Sequence, residues 1–434
     1  MFGEHYQYRK GGERLFTVDP RPIKFGPGAV KELGSDAKAL NIRRAAVFTD
    51  GAVSHLEPYE HALKSLRQAS VAFEVYDTTR VEPTDRSFIA AGEFMKQCGV
   101  DGVISIGGGS VIDTAKAASL LSTYPADFID YVNKPIGGGK PVPGALPPHI
   151  ACPTTSGTGS ESTAVAVFDL EEQEVKTGIS SKYLKPSFGI IDPEFTYSLP
   201  SLVTASTGFD VLTHAIESYT AAPFTTRAAA ADPESRPPYQ GANPYSDTGS
   251  LEAVRLGGRY LLRAVGDASD FEARNAMMYA ATMAGISFGN AGVHIPHAMS
   301  YSVAGMIRRY QPEGWPRDHP MCPHGISVVV NAPAVFRFTG SSSPERHLKV
   351  LECLGERITD IDPADAGAAL AGKFTEMMRA AGIPNGLGDL DYSESDVPTL
   401  AEGAYRQQRL LTLAPRKVDK DDLEVLYRDA MRYW

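Results

Sequence analysis

The chain has 434 residues, 43% of them hydrophobic and 22% charged, the profile of a globular protein too long for one core. Its formal net charge of −10 argues against nucleic acid or an anionic membrane surface as the main partner.

Residues 13–30 are turn-rich, and residues 44–49 form a short apolar run that suits a buried parallel strand, ended by Asp50 and Gly51. A helix is expected over 56–69, a strand over 72–76, a helix over 85–98 closed by Gly99, and a strand over 101–106. That last strand runs into Gly107-Gly108-Gly109-Ser110, where Ser110 is expected to cap a helix reaching residue 122. Strand and helix alternating in this rhythm imply a parallel sheet covered by helices.

Three glycines between a strand and a helix bring bare backbone N–H groups against an anion. The stretch is neither G-x-G-x-x-G nor a P-loop, and a tight turn without a ligand is the alternative. After a loop over 133–148, the strand at 149–152 leads into Pro153-Thr154-Thr155-Ser156-Gly157-Thr158-Gly159-Ser160-Glu161. Such a loop offers small donors to ribose and phosphate oxygens, or is a solvated turn. Two loops of this kind at strand ends fit a dinucleotide laid over the carboxyl edge of a sheet. Asp50, also at a strand end, suits the adenosine ribose hydroxyls and so favours NAD over NADP. A strand over 188–191 followed by Asp192-Pro193 closes this half.

Beyond residue 200 helical patterns take over, at 251–264, 272–288, 346–355, 364–382 and 421–433, with a long Pro- and Ala-rich loop over 223–247. If residues 208–219 are helical, Asp210 and His214 lie one turn apart on one face. Such a pair is commonly a surface pair or a cap. With His297 and His324 it becomes an oxygen-and-nitrogen set suited to Fe(II) or Zn(II) and poorly suited to Mg or Ca.

Together with Gly107 to Asp113 and Pro153 to Glu161, the stretches Gly289-Asn290-Ala291-Gly292-Val293-His294-Ile295-Pro296-His297-Ala298-Met299-Ser300 and Cys322-Pro323-His324-Gly325 carry a resemblance. Over nearly its whole length the chain resembles the iron-containing (group III) alcohol dehydrogenase family. The resemblance implies an α/β Rossmann-like domain over 1–200 that binds the dinucleotide. An all-α domain over 201–434, metal-binding and catalytic, would complete a dehydroquinate synthase-like architecture. It places the metal on Asp210, His214, His297 and His324; counting from Asn290, the third ligand falls on His297, with His294 a neighbour. The implied cofactor contacts are Asp50, Gly107, Gly108, Gly109, Ser110, Asp113, Thr154, Thr155, Thr158, Thr163, Val165 and Lys176. Many members carry a further His near the nicotinamide where this chain has Tyr301, so Tyr301 or His294 is the candidate proton relay.

Three features look like those of one subgroup: the loop from Arg236 to Pro244, Gly292-Val293-His294, and the segment from Arg308 to Pro320. That subgroup moves hydride from a 4-hydroxy acid such as 4-hydroxybutyrate, through NAD, to a 2-oxo acid such as 2-oxoglutarate. The products are succinate semialdehyde and 2-hydroxyglutarate. Most family members instead release reduced cofactor and act on simple alcohols and aldehydes. A carboxylate substrate needs a cation, and Arg236, Arg308, Arg309 and Arg317 are candidates or plain surface charges.

Two rivals are weighed. A dehydroquinate synthase-like lyase needs basic residues clustered among the ligands, and no such cluster is evident. A non-catalytic scaffold would not be expected to keep a full ligand set. The expected partners are small hydroxy acids or alcohols and oxo acids or aldehydes, with neither nucleic acid nor membrane, and the expected assembly is a homodimer. Cys98, Cys152, Cys322 and Cys353 form no C-x-x-C pair, and neither a signal-type nor a membrane-spanning apolar run is seen. A cytoplasmic location is expected, or the mitochondrial matrix if a leader was removed.

Overall fold

Apolar runs that show no clean alternation are what a strand buried on both faces requires, and the strands of the first half have that texture. A computed structural model describes residues 4–173, 175–233 and 236–434. Contacts divide the chain into two compact units, Pro20–Leu199 and Met1–Asp19 with Pro200–Trp434.

The first unit contains β1 (Ile23–Phe25), β2 (Arg44–Phe48), β3 (Ala72–Tyr76), β4 (Gly102–Gly107), β5 (His149–Pro153), β6 (Val165–Leu170), β7 (Val175–Ser180) and β8 (Phe188–Ile191). Its helices are α1 (Leu33–Ala39), α2 (Glu57–Gln68), α3 (Asp85–Cys98), α4 (Gly109–Thr123) and α5 (Phe128–Tyr131). Six strands form one sheet in the order β1-β8-β5-β4-β2-β3, every pair parallel. One face buries Ala45, Val47, Ile104, Ile106, Ile150 and Ile190; the other buries Ala46, Phe48 and Val103 against Ala91, Met95, Val111 and Ala115. Each large apolar side chain so buried contributes about 1.5–3 kcal/mol, so both faces need their helices. The antiparallel β6–β7 hairpin has no counterpart in the sequence reading.

Strand register sets the loops side by side. Ile106 pairs with Cys152 and Gly107 with Pro153, so the glycine loop and the hydroxyl loop leave neighbouring strands at the same level. The Thr154 N–H donates to the Gly107 carbonyl at 3.1 Å. Helix α4 starts two residues before the expected place, with Gly108, which has no side chain, as its cap instead of Ser110. A Cβ on Gly109 would lie 2.8 Å from Thr158 Cγ2, so a glycine is needed where the two loops touch. Ser110 is therefore not the cap: it sits in the first turn, and its Oγ accepts the Glu82 N–H at 3.2 Å.

The second unit holds α6 (Ser201–Thr220), α7 (Pro244–Gly266), α8 (Phe271–Ala291), α9 (Ile295–Gly305), α10 (His324–Val329), α11 (Ala332–Gly340), α12 (Pro344–Cys353), α13 (Ala366–Ala380), α14 (Val397–Tyr405), α15 (Gln408–Leu411) and α16 (Lys420–Asp429). Its core packs Phe209, Leu212 and Ile216 of α6 against Leu261, Met277, Phe336 and Phe374. The loop expected over 223–247 is shorter than that, because α7 begins at Pro244. Asn243 and Ser246 form a capping box there, each side-chain oxygen accepting the other's backbone N–H at 3.1 Å. Residues 234 and 235 of that stretch lie outside the described residues.

Residues 4–19 group with the helices rather than with the sheet, which corrects the expected boundary at residue 1. Polar side chains hold them there. Tyr6 donates to Asp247, Glu13 pairs with Arg236 at 3.1 Å, and the Thr17 backbone exchanges two hydrogen bonds with the Gln240 amide. Among the described residues no helix is long and apolar enough to cross a membrane.

Candidate functional site

Helix α6 is buried along most of its length, so polar residues on it stand out. Asp210 and His214 lie one turn apart, and neither is more than 3% exposed. His297 sits in the first turn of α9, and His324 is the first residue of α10. Gly325 lets α10 close on α6: a Cβ there would lie 2.2 Å from the Ser206 carbonyl oxygen.

The four side chains converge. The Nε2 atoms of His214, His297 and His324 lie 3.7, 3.6 and 3.8 Å from a single atom, Asp210 Oδ1. One ligand atom from each residue falls within 4.8 Å of every other. Asp210 Oδ1 and His297 Nε2 are buried without a hydrogen-bond partner. Orphaned buried polar atoms are costly and rare, so their clustering fits a cation better than it fits packing. The His214 ring stacks on Phe288 at 3.9 Å between centroids and an interplanar angle of 5°, which fixes its plane. The His324 side chain is 25% exposed and marks the open side.

Electrostatics agree with the geometry. Burial alone would raise the Asp210 carboxyl, but His214, His324 and His297 outweigh it and hold the group well below the usual carboxylate range. Burial lowers the His214 imidazole to about 3. Burial also opposes a proton on His297, yet the Glu217 and Asp210 carboxylates outweigh it and push the imidazole up to about 9. A cation at Nε2 competes with that proton.

Glu217 is a residue the sequence reading missed. Its carboxylate meets His297 Nδ1 and accepts the His294 N–H at 2.8 Å. Burial works to raise it, but His297 outweighs that and keeps it below its ordinary range. The signal was available: Asp210, His214 and Glu217 follow the i, i+4, i+7 spacing of one helix face.

Of the two relay candidates, His294 has other employment. It is fully buried; Nδ1 accepts the Ile295 N–H at 2.8 Å and Nε2 lies 3.1 Å from Thr220 Oγ1. Burial lowers it to about 4, so it is neutral and caps α9. Tyr301 lies one turn beyond His297 on α9, and its hydroxyl makes no hydrogen bond among the described residues.

The expected cofactor contacts separate into two groups. Gly107, Gly108, Gly109, Thr154, Thr155 and Thr158 form the paired loops at the strand ends. Asp50 follows β2, and its Oδ1 accepts the Ala52 and Val53 N–H groups at 2.9 Å. Asp113, Thr163, Val165 and Lys176 are instead joined to other protein groups. The Lys116 ammonium donates to Asp113 Oδ1, Ser160 Oγ, Thr163 Oγ1 and the Val165 carbonyl at 2.7–3.1 Å. Asp113 Oδ2 accepts the Val167 N–H at 2.9 Å. Lys176 is buried between Glu82 at 2.6 Å and Asp169 at 3.0 Å, not on the surface. Of the four arginines considered for a substrate carboxylate, Arg236 pairs with Glu13 and Arg308 with Asp396.

Comparison with known proteins fits this arrangement. The family described as "Iron-containing alcohol dehydrogenase" matches residues 20–193, and "Fe-containing alcohol dehydrogenase family, C-terminal" matches residues 239–431. The mitochondrial hydroxyacid-oxoacid transhydrogenase of Rattus norvegicus is 46% identical over 427 residues, covering 98% of this chain and 91% of that protein. The crystal structure of 1,3-propanediol oxidoreductase superposes with a TM-score of 0.83 at 30% identity, covering 96% of this chain and 100% of that one. Sulfoacetaldehyde reductase from Bifidobacterium kashiwanohense, solved in complex with NAD+, gives 0.77 at 26% identity, covering 96% and 99%. The chain is an oxidoreductase and belongs to the iron-containing alcohol dehydrogenase family.

Proposed function

We propose that this enzyme moves hydride from a 4-hydroxy acid to a 2-oxo acid through NAD, at a centre where Asp210, His214, His297 and His324 hold Fe(II) or Zn(II). The observation that carries the metal reading is the three imidazole nitrogens at 3.6–3.8 Å around one orphaned carboxylate oxygen. Three neutral nitrogens and one carboxylate suit a borderline cation and leave it a residual positive charge. Bound there, such a cation supplies a Lewis acid that lowers the pKa of a substrate hydroxyl.

The chain's own groups do the rest. Asp210 provides the negative charge of the centre. His324, on its exposed edge, borders the side by which substrate enters. Tyr301, one turn from His297, is proposed to pass the hydroxyl proton. The α/β unit is proposed to take NAD: the uncapped first turn of α4 offers N–H groups to the pyrophosphate, and Asp50 keeps Oδ2 for a ribose hydroxyl. Asp113, Thr163, Val165 and Lys176 are proposed to shape those loops rather than touch the cofactor. The acid substrates are supported by the 46% identity to a hydroxyacid-oxoacid transhydrogenase.

A paired assay tests this reading. 4-Hydroxybutyrate is supplied with NAD alone, then with 2-oxoglutarate and no added NAD. Formation of 2-hydroxyglutarate in the second arm is expected. Steady release of NADH in the first arm, with no 2-hydroxyglutarate in the second, would mark an ordinary alcohol dehydrogenase instead.

A further inference from the structure

We propose that Glu217 is the residue that positions His297 as a metal ligand, by holding both the start of α9 and the imidazole on one carboxylate. The inference rests on the metal reading above.

Glu217 lies two turns along α6 from Asp210, on the same face. Its side chain is fully buried, and each oxygen is used. Oε1 accepts the N–H groups of His294 at 2.8 Å and of His297 at 3.4 Å. These belong to the opening of a helix, where N–H groups lack intrahelical partners and a negative charge is favoured. Oε2 meets His297 Nδ1. An ionised carboxylate only accepts, so Nδ1 carries the proton and donates it. In the neutral ring the tautomer is thereby fixed: Nε2 is the nitrogen left to offer its lone pair to a cation, 3.6 Å from Asp210 Oδ1 and without a hydrogen-bond partner.

His214 lacks this support. The plane of His214 is set by stacking on Phe288, and its Nδ1 is buried with no hydrogen-bond partner. His297 is tied by charge, and the tie joins α6 to α9, the helices that carry three of the four ligands. Glu217 has no exposed atom from which to reach a substrate, so its role is positioning. Carboxylate partners of this kind orient the ring and raise its basicity, and their loss typically weakens metal binding 10–100-fold.

The test uses full-length Glu217→Gln and, in parallel, His324→Ala. Fe(II) and Zn(II) affinities are measured by competition with a chelator, and the melting of metal-stripped protein and the binding of NAD are followed alongside. Glu217→Gln keeps the shape but loses the charge and one acceptor. A 10–100-fold loss of metal affinity is expected, with NAD binding unchanged. Wild-type affinity in Glu217→Gln, while His324→Ala loses the metal, overturns this inference and leaves the metal reading standing. Retention of the metal by His324→Ala overturns the metal reading itself. If Glu217→Gln does not fold, the pair is read from the other side. His297→Asn keeps a donor for the carboxylate and His297→Ala does not, so stripped His297→Asn melts several degrees higher. Equal melting of the two overturns the inference.

Discussion

In the α/β unit the Lys116 ammonium is buried and meets four oxygens within 3.1 Å; in the helical unit Asp210 is buried as deeply, and its Oδ1 meets no hydrogen-bond donor. Both regions take charge out of water, at a cost of several kcal/mol per ion unless it is compensated. Around Lys116 the compensation is internal, and the result is a staple between α4 and the segment Ser160 to Val165. Around Asp210 three imidazoles stand back at 3.6–3.8 Å, too far to hydrogen-bond and well placed to surround a cation. A satisfied buried network holds a fold, and an unsatisfied one is built for a ligand.

Asp210→Ala removes the anionic ligand, and kcat/KM is expected to fall by about a thousandfold or more, since the cation's charge stabilisation is worth several kcal/mol. Far-UV circular dichroism and NAD binding should stay as in wild type. Retention of a tenth of the activity would show that the cluster is not the centre.

At the satisfied end the expected loss is of stability. Lys116→Met leaves Asp113 buried and unpaired, so the α/β unit should lose about 3–5 kcal/mol in denaturant unfolding. Lys116→Met combined with Asp113→Asn should recover part of it. A loss below 1 kcal/mol would mean that the staple is ornamental.

Glu161, at the end of the hydroxyl loop, sharpens the contrast through pH. Burial pushes its carboxyl up from 4.5 to about 7. A group raised in the folded state contributes fully below its unfolded pKa and loses that contribution as pH rises through the folded value. Wild type should therefore lose stability between pH 5 and pH 8, and Glu161→Gln, neutral throughout, should not. The gap is expected to widen by about 2–3 kcal/mol, read from denaturant midpoints at the two pH values. Parallel profiles would contradict the shift.

The smallest effect belongs to Asp50. Asp50→Ala should shrink the preference for NAD over NADP by about tenfold, near the worth of one hydrogen bond to a charged acceptor. An unchanged ratio of kcat/KM values would remove Asp50 from that role.

Much of this was legible in the sequence where the signal is local. The alternation of strand and helix, the glycine loop after β4 and the Asp210–His214 spacing each follow from neighbours within one turn or one strand. Errors arose where a distant residue decides. Ser110 looks like a cap, but its hydroxyl is claimed by Glu82, 28 positions away. Glu217 reads as one more helical carboxylate until His294, 77 positions on, is folded against it. The start of α7 at Asn243-Pro244 was a local signal, overlooked within a Pro-rich loop.

Metal content per chain decides whether the four side chains hold one cation. Wild type, Asp210→Ala and His297→Ala are each stripped, reloaded anaerobically with Fe(II) or with Zn(II), desalted and analysed for metal. One ion per chain in wild type and less than a tenth of that in both variants is the expected result; equal loading of all three would show that Asp210 and His297 hold no cation.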